Sequence, residues 1–196
     1  MKNIIFDFGN VLVQWHPELV YGEYFGNDEA KAWWFLRHVA DMDFRQRIDA
    51  GESMDYCIRE KQKQYPEYAD AIELYRTKWR EMLTDEVPGM REVISILKSS
   101  GYELFGLTNW SMETFPEARE HFGILQMIDR YVVSGAEGLV KPDPRLFQVL
   151  LDRYNLKAED CIFIDDNPDN VAAARKLGID GIVFTDAEDL RKHLGL

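Results

Sequence analysis

Short apolar runs that end at turn residues recur along the chain and predict buried parallel strands. The runs cover residues 4–6, 102–107, 130–133, 161–164 and 181–184. Helical patterns lie between them, at 90–99, 144–154 and 168–177, and the last two begin with a proline, which the first helical turn tolerates. The alternation of strands and helices predicts an α/β fold with a Rossmann-like, doubly wound parallel sheet.

About ninety residues separate the first predicted strand from the second. A crossover between parallel strands needs only about a dozen. The intervening segment, from about residue 17 to 84, has helical periodicity and many aromatic side chains, so we expect a small all-helical cap inserted into the sheet domain. The predicted boundaries are 1–14 and 88–196 for the α/β core domain with the catalytic motifs, and 15–87 for the helical cap.

Composition and charge narrow the possible partners. A length of 196 residues suits one α/β domain with an insertion, and the net charge of -12 argues against nucleic acid and anionic membranes. Cys57 and Cys161 lack the spacing of a disulfide framework or zinc site, and no stretch approaches the ~20 apolar residues of a membrane span. We expect a cytoplasmic protein, a monomer or weak dimer, acting on a small phosphorylated metabolite.

Polar side chains cluster at the carboxyl ends of the predicted strands, where open parallel sheets bind their ligands. They are Asp7 after the first strand, Thr108 and Asn109 after the second, Lys141 beyond the third, and Asp165 and Asp166 after the fourth. Taken singly, each has an ordinary alternative. Asp7 could cap a turn, Thr108 could be the N-cap of a following helix, and Lys141 could be a solvated surface charge.

Taken together, these residues predict phosphoryl-transfer chemistry. The adjacent carboxylates of Asp165 and Asp166 repel each other unless a cation or proton compensates, which indicates a site for a hard metal ion such as Mg²⁺. Asp7 could attack phosphorus to form an aspartyl-phosphate. Lys141 stands before two prolines, Pro142 and Pro144, which restrict the backbone and favour an aimed ammonium group.

Four segments carry a family resemblance: DFGNVL at 7–12, LFGLTNW at 104–110, VKPDP at 140–144 and IFIDDNPDNVAAARKLGI at 162–179. In order and spacing they resemble the four motifs of the haloacid dehalogenase superfamily. The chain is most similar to the small helical-cap subgroup that includes sugar-1-phosphate phosphatases. The resemblance implies magnesium-dependent hydrolysis of a small phosphomonoester, with a sugar phosphate as the narrower expectation, through an aspartyl-phosphate intermediate.

The resemblance also implies a role for each motif residue. Asp7 would be the nucleophile and a metal ligand, Gly9 would offer its backbone carbonyl to the metal, and Asp166 would be the acidic metal ligand. Thr108 and the backbone of Asn109 would bind the phosphate, and Lys141 would be the catalytic and phosphate-binding cation. Asp165 and Asn170 would contact the metal ligands, or would reach the metal through water.

The chain departs from the resemblance at Gly9, because phosphatases of this family usually carry a second aspartate two residues after the nucleophile. Glycine cannot move a proton. A cap residue or water could substitute, or the enzyme could prefer leaving groups that need little protonation. Two alternatives stay open: a low-activity or non-catalytic module that binds magnesium or a phospho-ligand, and a haloacid dehalogenase, although the paired acids would repel a haloacid.

Aromatic and basic side chains near the predicted site and in the predicted cap are candidates for substrate recognition. The candidate substrate-reading residues are Trp15, His16, Arg45, Arg47 and Trp110. For the aromatic members, the alternative is that they form the core of the cap; for the arginines, it is that they face water.

Overall fold

The computed structural model describes residues 3–196 and contains a five-stranded parallel sheet in the order β5-β4-β1-β6-β7. Its strands are β1 (Asn3–Phe6), β4 (Glu103–Thr108), β5 (Arg130–Val133), β6 (Cys161–Asp165) and β7 (Asp180–Val183). The predicted α/β fold is confirmed, and the bounds of each predicted strand differ from the observed ones by at most one residue.

The sheet core has two faces, as expected for parallel strands that are buried on both sides. Ile4 and Phe6 of β1 contribute to one apolar cluster, whereas Ile5 between them contributes to the other. The helices that come after the insertion are α6 (Met90–Ser99), α7 (Phe115–His121), α8 (Gly123–Gln126), α9 (Ser134–Glu137), α10 (Pro144–Tyr154), α11 (Pro168–Lys176) and α12 (Ala187–Leu194). Helices α6 and α12 cover the first face, and α10 and α11 cover the second.

The insertion is helical, as predicted. It contains α1 (Pro17–Tyr24), α2 (Glu29–His38), α3 (Met42–Asp49), α4 (Met54–Gln64) and α5 (Ala69–Thr77), with 3-10 turns at Pro66–Tyr68 and Trp79–Met82. Three of these helices begin where a short polar side chain accepts a hydrogen bond from the backbone N–H three residues later. The capping residues are Asp28, Asp41 and Ser53.

A small antiparallel sheet at the base of the insertion was not predicted. Strand β2 (Val13–Trp15) pairs with β3 (Leu83–Glu86), so both ends of the insertion are joined to each other. The predicted boundaries, after residue 14 and before residue 88, fall in or beside this pair. The strands are only three and four residues long and partly exposed, too short for an alternating pattern to be recognised. The division into core and cap domains stays a prediction.

Among residues 3–196, no helix combines the length and the apolar character that crossing a bilayer requires.

Candidate active site

Strand order brings the predicted site residues to one edge of the sheet. Because β1 lies between β4 and β6, Asp7 at the end of β1 is flanked by the residues that end the two neighbouring strands. Carboxylate oxygens of Asp7, Asp165 and Asp166 lie within 4.8 Å of one another. Lys141, in the turn that precedes α10, reaches the same place.

Lys141 is an interior cation, with a side chain that is 1% exposed. Its Nζ lies 2.9 Å from Asp7 Oδ1 and 2.7 Å from Asp165 Oδ2, and it donates to the Leu107 carbonyl at 2.9 Å. Burial by itself would lower the pKa of Lys141, but the carboxylates of Asp7 and Asp165 outweigh that effect and raise it. The ammonium group is therefore charged at neutral pH and is held between two acids.

Asp165 is fully buried and its oxygens are occupied by donors. Oδ1 accepts from the backbone N–H of Asn167 at 2.8 Å, and Asn170 Nδ2 lies 3.1 Å from both oxygens. Oδ2 also accepts from Lys141 Nζ at 2.7 Å. With its lone pairs used in this way, Asp165 anchors Lys141 and Asn170, while Asp7 and Asp166 present the more available carboxylates.

Asp7 and Asp166 are acids in an unfavourable place for negative charge. Burial raises the pKa of Asp7, with Lys141 opposing the rise and the neighbouring acids adding to it. Burial, and then the charge of Asp165, raises the pKa of Asp166. The buried Oδ1 of Asn170 has no hydrogen-bond partner among the described residues. These hard oxygen donors fit a divalent cation such as Mg²⁺, which would relieve the repulsion.

Asn10 belongs to the site although it had no role in the sequence analysis. Its backbone is in the left-handed region (φ 55°), which asparagine tolerates better than most residues. Its Nδ2 lies 3.4 Å from Asp166 Oδ2, and its Oδ1 accepts from the backbone N–H of Trp15 at 3.0 Å. Asn10 thus links Asp166 to strand β2. The available signal in the sequence was an asparagine directly after a glycine, a pair that is also common in ordinary turns.

Thr108 and Asn109 differ in how far the structure places them in the site. Thr108 is buried, its Oγ1 has no partner within residues 3–196, and it does not line the cavity beside Asp7. The N-cap alternative for Thr108 is wrong, because the next helix begins at Phe115 after Thr114. Asn109 does line that cavity, and its side chain binds the backbone of Lys141.

A cavity of about 460 Å³ opens between the sheet edge and the helical insertion. Gly9, Asn170 and the Asp7, Lys141 and Asp166 side chains line it from the sheet side. Of the five candidate substrate-reading residues, Trp15, Arg45 and Trp110 line it. His16 and Arg47 do not: His16 lies 2.8 Å from Glu18, and Arg47 lies 2.6 Å from Glu52.

The C-terminal end of α3 is held against the sheet domain beside this cavity. Ser134 Oγ donates to the Asp49 carbonyl at 2.5 Å and accepts from the Trp110 backbone N–H at 2.8 Å. A Cβ at Gly51 would overlap the carbonyl oxygen of Gly135, so only glycine permits this approach. The insertion is therefore closed over the site at this point.

Known proteins resemble the chain in sequence and fold. Acyl-CoA dehydrogenase family member 10 from Mus musculus is 36% identical over 119 residues, 58% of this chain and 11% of that protein. Glyceraldehyde 3-phosphate phosphatase from Pyrococcus abyssi is 27% identical over 134 residues, 66% of this chain and 56% of that protein. The chain thus spans from about a tenth to about half of the length of these relatives.

A solved structure shares the fold over almost the whole chain. It is a haloacid dehalogenase family enzyme from Bacteroides thetaiotaomicron in complex with magnesium and inorganic phosphate, with a TM-score of 0.71 and 18% identity. The match covers 99% of this chain and 98% of that one. The haloacid dehalogenase-like hydrolase family matches residues 1–178, which include every motif residue of the site, and the chain belongs to that family.

Proposed function

We propose that the protein is a magnesium-dependent phosphatase that hydrolyses a small phosphomonoester through an aspartyl-phosphate on Asp7. The observation that carries the proposal is the buried ammonium group of Lys141, in contact with Asp7 and Asp165, beside the carboxylate of Asp166. A phosphoryl group at this edge would meet a nucleophile and a fixed positive charge, which are the main requirements of phosphoryl transfer.

Asp7 is oriented for attack by its neighbours. Its Oδ1 accepts from the backbone N–H of Phe8 at 2.7 Å and contacts Lys141 Nζ. In the first step a carboxylate oxygen of Asp7 forms a bond to phosphorus as the bond to the leaving oxygen breaks. In the second step water attacks phosphorus, and Asp7 leaves as a carboxylate. Splitting the displacement in this way replaces one difficult step by two easier ones.

In the first step, Lys141 reduces the repulsion between the Asp7 carboxylate and the phosphate. A carboxylate and a phosphate monoester repel each other, and a cation held between them lowers that cost. Because Asp165 and the Leu107 carbonyl already fix the ammonium group, little reorganisation is needed when substrate arrives. The backbone of Asn109 is proposed to bind phosphoryl oxygens. Thr108 does not line the cavity, but its buried Oγ1 has no partner within residues 3–196, and it is proposed to take part in the same binding.

The metal would be held by Asp7, Asp166 and the backbone carbonyl of Gly9, with Asp165 and Asn170 supporting it. Magnesium bound there would favour the ionised form of Asp7 and offset charge on the phosphoryl oxygens. The named relative from Pyrococcus abyssi is a phosphatase, and the structure from Bacteroides thetaiotaomicron holds magnesium and phosphate, which supports this assignment.

The cavity suits a small, polar organic group on the phosphate. Its volume is in the usual range for small-molecule sites. Indole rings of Trp15, Trp79 and Trp110 line it together with the polar Arg45 and Gln46. Flat aromatic faces with a few polar groups suit a sugar ring, so a sugar phosphate is the narrower proposal. The three acids at the site argue against a haloacid, whose carboxylate they would repel.

A screen of phosphometabolites, with and without Mg²⁺, tests the proposal through the release of inorganic phosphate. We expect magnesium-dependent turnover of at least one phosphomonoester, and none by the Asp7→Asn variant. A non-catalytic module would bind magnesium or phosphate but release no phosphate from any substrate. Halide release from a haloacid without metal would point to dehalogenation instead.

A further inference from the structure

The reaction needs a group that can transfer a proton at the leaving oxygen, because an alkoxide is a poor leaving group. Gly9 cannot provide one. The titratable side chains that line the cavity, among residues 3–196, are Asp7, Arg45, Asp49, Tyr75, Lys141, Asp166 and Asp169. The proton donor from the protein should be one of these.

Most of these groups are engaged otherwise or hold their protons too tightly. Asp7 is the proposed nucleophile and Asp166 a proposed metal ligand. Arginine does not lose its proton in proteins. Carboxylates on both sides raise the pKa of Lys141 against the opposing effect of its burial, and burial raises the pKa of Tyr75 well above its ordinary value. Asp169 is exposed in the first turn of α11, where it is open to water.

Asp49 is the remaining group, and its position suits the task. It is the last residue of α3, it lines the cavity, and its backbone carbonyl is held by Ser134 Oγ. No side chain or backbone group within residues 3–196 donates a hydrogen bond to its carboxylate. Because its backbone is fixed and its carboxylate oxygens accept no hydrogen bond from residues 3–196, Asp49 can exchange a proton with a ligand in the cavity.

The surroundings of Asp49 also set its proton affinity in a useful range. The charged and titratable groups near it are Arg45 one turn earlier on α3, Tyr75 on α5 and Lys141 on the sheet side. Burial raises the pKa of Asp49 to about 7, and the cations Arg45 and Lys141 only partly oppose the rise. A group with a pKa near the working pH can act both as acid and as base.

We propose that Asp49 is the catalytic acid and base of this enzyme, an inference that rests on the phosphatase activity proposed above. In the first step, the phosphorus bond to the leaving oxygen breaks, and protonated Asp49 gives its proton to that oxygen, releasing an alcohol. In the second step, the Asp49 carboxylate takes a proton from the water that attacks phosphorus. Inorganic phosphate, the Asp7 carboxylate and protonated Asp49 result, so the cycle closes without any other reactant.

The test compares two substrates of similar size, benzyl phosphate and 4-nitrophenyl phosphate, under single-turnover conditions with magnesium. Benzyl alcohol leaves poorly without a proton, whereas 4-nitrophenolate does not need one. We expect Asp49→Asn to slow benzyl alcohol release by about 10²- to 10⁴-fold and nitrophenolate release by less than about threefold. With substrate in excess over enzyme, nitrophenolate should then appear as a burst before slow turnover, because the second step lacks its base.

Matched variants separate proton transfer from a structural effect. Asp49→Glu keeps an acid and should retain most of the activity on benzyl phosphate. Asp43→Asn makes the same chemical change at an exposed position of the same helix and should leave both rates unchanged. If Asp49→Asn does not fold, Asp49→Ser is measured in its place.

Each outcome decides a different point. Equal losses on both substrates, or no loss on either, would overturn the role of Asp49 while leaving phosphatase activity intact. A wild-type protein that hydrolyses neither substrate nor any member of the phosphometabolite screen would instead refute the function on which the role depends. In wild type, benzyl alcohol release should also fall as pH rises through about 7, and this limb should be missing in Asp49→Asn.

Discussion

The side chain of Asn109 exchanges two hydrogen bonds with the backbone of Lys141, 32 residues away. The Lys141 N–H donates to Asn109 Oδ1 at 2.8 Å, and Asn109 Nδ2 donates to the Lys141 carbonyl at 3.0 Å. At the other end of the lysine, the Leu107 carbonyl accepts from Nζ. Residues at the end of β4 thus hold both ends of Lys141, and Asn109 positions the cation without touching it.

Asn109→Ala should therefore damage the site through Lys141. Each lost hydrogen bond is worth about 0.5 to 1.5 kcal/mol, so we expect a loss of about 1 to 3 kcal/mol in the free energy of unfolding. We also expect kcat to fall by about tenfold or more as Lys141 loses its fixed direction. Urea unfolding and steady-state kinetics measure the two effects.

Asn109→Asp is the matched variant for this prediction, because it keeps the acceptor for the Lys141 N–H but removes the donor to the Lys141 carbonyl. Its stability should lie between those of wild type and Asn109→Ala. If Asn109→Ala retained wild-type kcat, the two hydrogen bonds would not be what orients Lys141.

Asp7→Asn should abolish turnover and leave the fold nearly intact. The amide has the same shape as the carboxylate and can still accept from the Phe8 N–H through its oxygen. The amide cannot form the aspartyl-phosphate, so phosphate release should fall below about a tenth of the wild-type rate. A variant that kept more than about a tenth of the activity would show that no covalent step on Asp7 is required. Circular dichroism and thermal unfolding check the fold.

Asp166→Ala should weaken magnesium binding. One of the two available carboxylates at the proposed metal site is removed, and we expect the affinity in titration calorimetry to fall by about tenfold or more. Asp169→Ala is the control, because Asp169 is exposed and is not one of the three clustered acids. Equal magnesium affinity in Asp166→Ala and wild type would show that the metal binds elsewhere.

The sequence contains enough information to predict the sheet and the place of the site. The apolar runs define strands that are buried on both faces, and parallel strands must end at the same edge. For that reason Asp7 and Asp166 could be placed together without coordinates. The brief strands β2 and β3 could not be predicted, since three or four partly exposed residues carry no recognisable period.

Interactions between segments that are distant along the chain could not be predicted from local sequence patterns. Asn109 was expected to act through its backbone, and nothing in its local sequence indicates that its side chain binds Lys141. Asp49 was missed for a different reason. An acid near the end of an amphipathic helix is ordinary surface chemistry, and only the approach of α3 to Ser134 encloses it in the cavity.

The raised pKa of Asp49 has a consequence for stability in the absence of metal. Its folded-state pKa of about 7 lies above the ordinary value of 3.8, so the folded protein binds the proton more tightly than the unfolded chain. The contribution of protonated Asp49 to the free energy of unfolding is therefore fully present below pH ~4, is lost as pH rises toward 7, and is absent above pH ~7. The loss is on the order of 1 kcal/mol per pH unit at most.

Asp49→Asn should remove this dependence. The variant should gain stability relative to wild type between pH ~4 and ~7, and the difference should level off at higher pH. Urea unfolding in the presence of a chelator measures it, with Asp43→Asn as the exposed control from the same helix. If the difference in the free energy of unfolding between wild type and Asp49→Asn did not change with pH, Asp49 would have the same pKa in the folded and the unfolded protein.

An acid at position 9 should be able to replace Asp49. Apart from its two chain neighbours, no heavy atom of residues 3–196 would lie within 4 Å of a Cβ at Gly9, and the backbone there is not left-handed, so an aspartate can be accommodated without strain. Two residues after the nucleophile, its carboxyl group would reach the same cavity that Asp49 lines.

In the Asp49→Asn background, Gly9→Asp should restore benzyl phosphate hydrolysis by about tenfold or more. In the wild-type background the same change should have little effect, because the proton is already supplied. The two mutations would then be strongly non-additive, as expected for groups that perform the same task. The double-mutant cycle is measured under single-turnover conditions, with magnesium calorimetry to verify that the metal still binds. Gly9→Asp raising the rate by the same factor in both backgrounds would mean that Asp49 has no part in proton transfer.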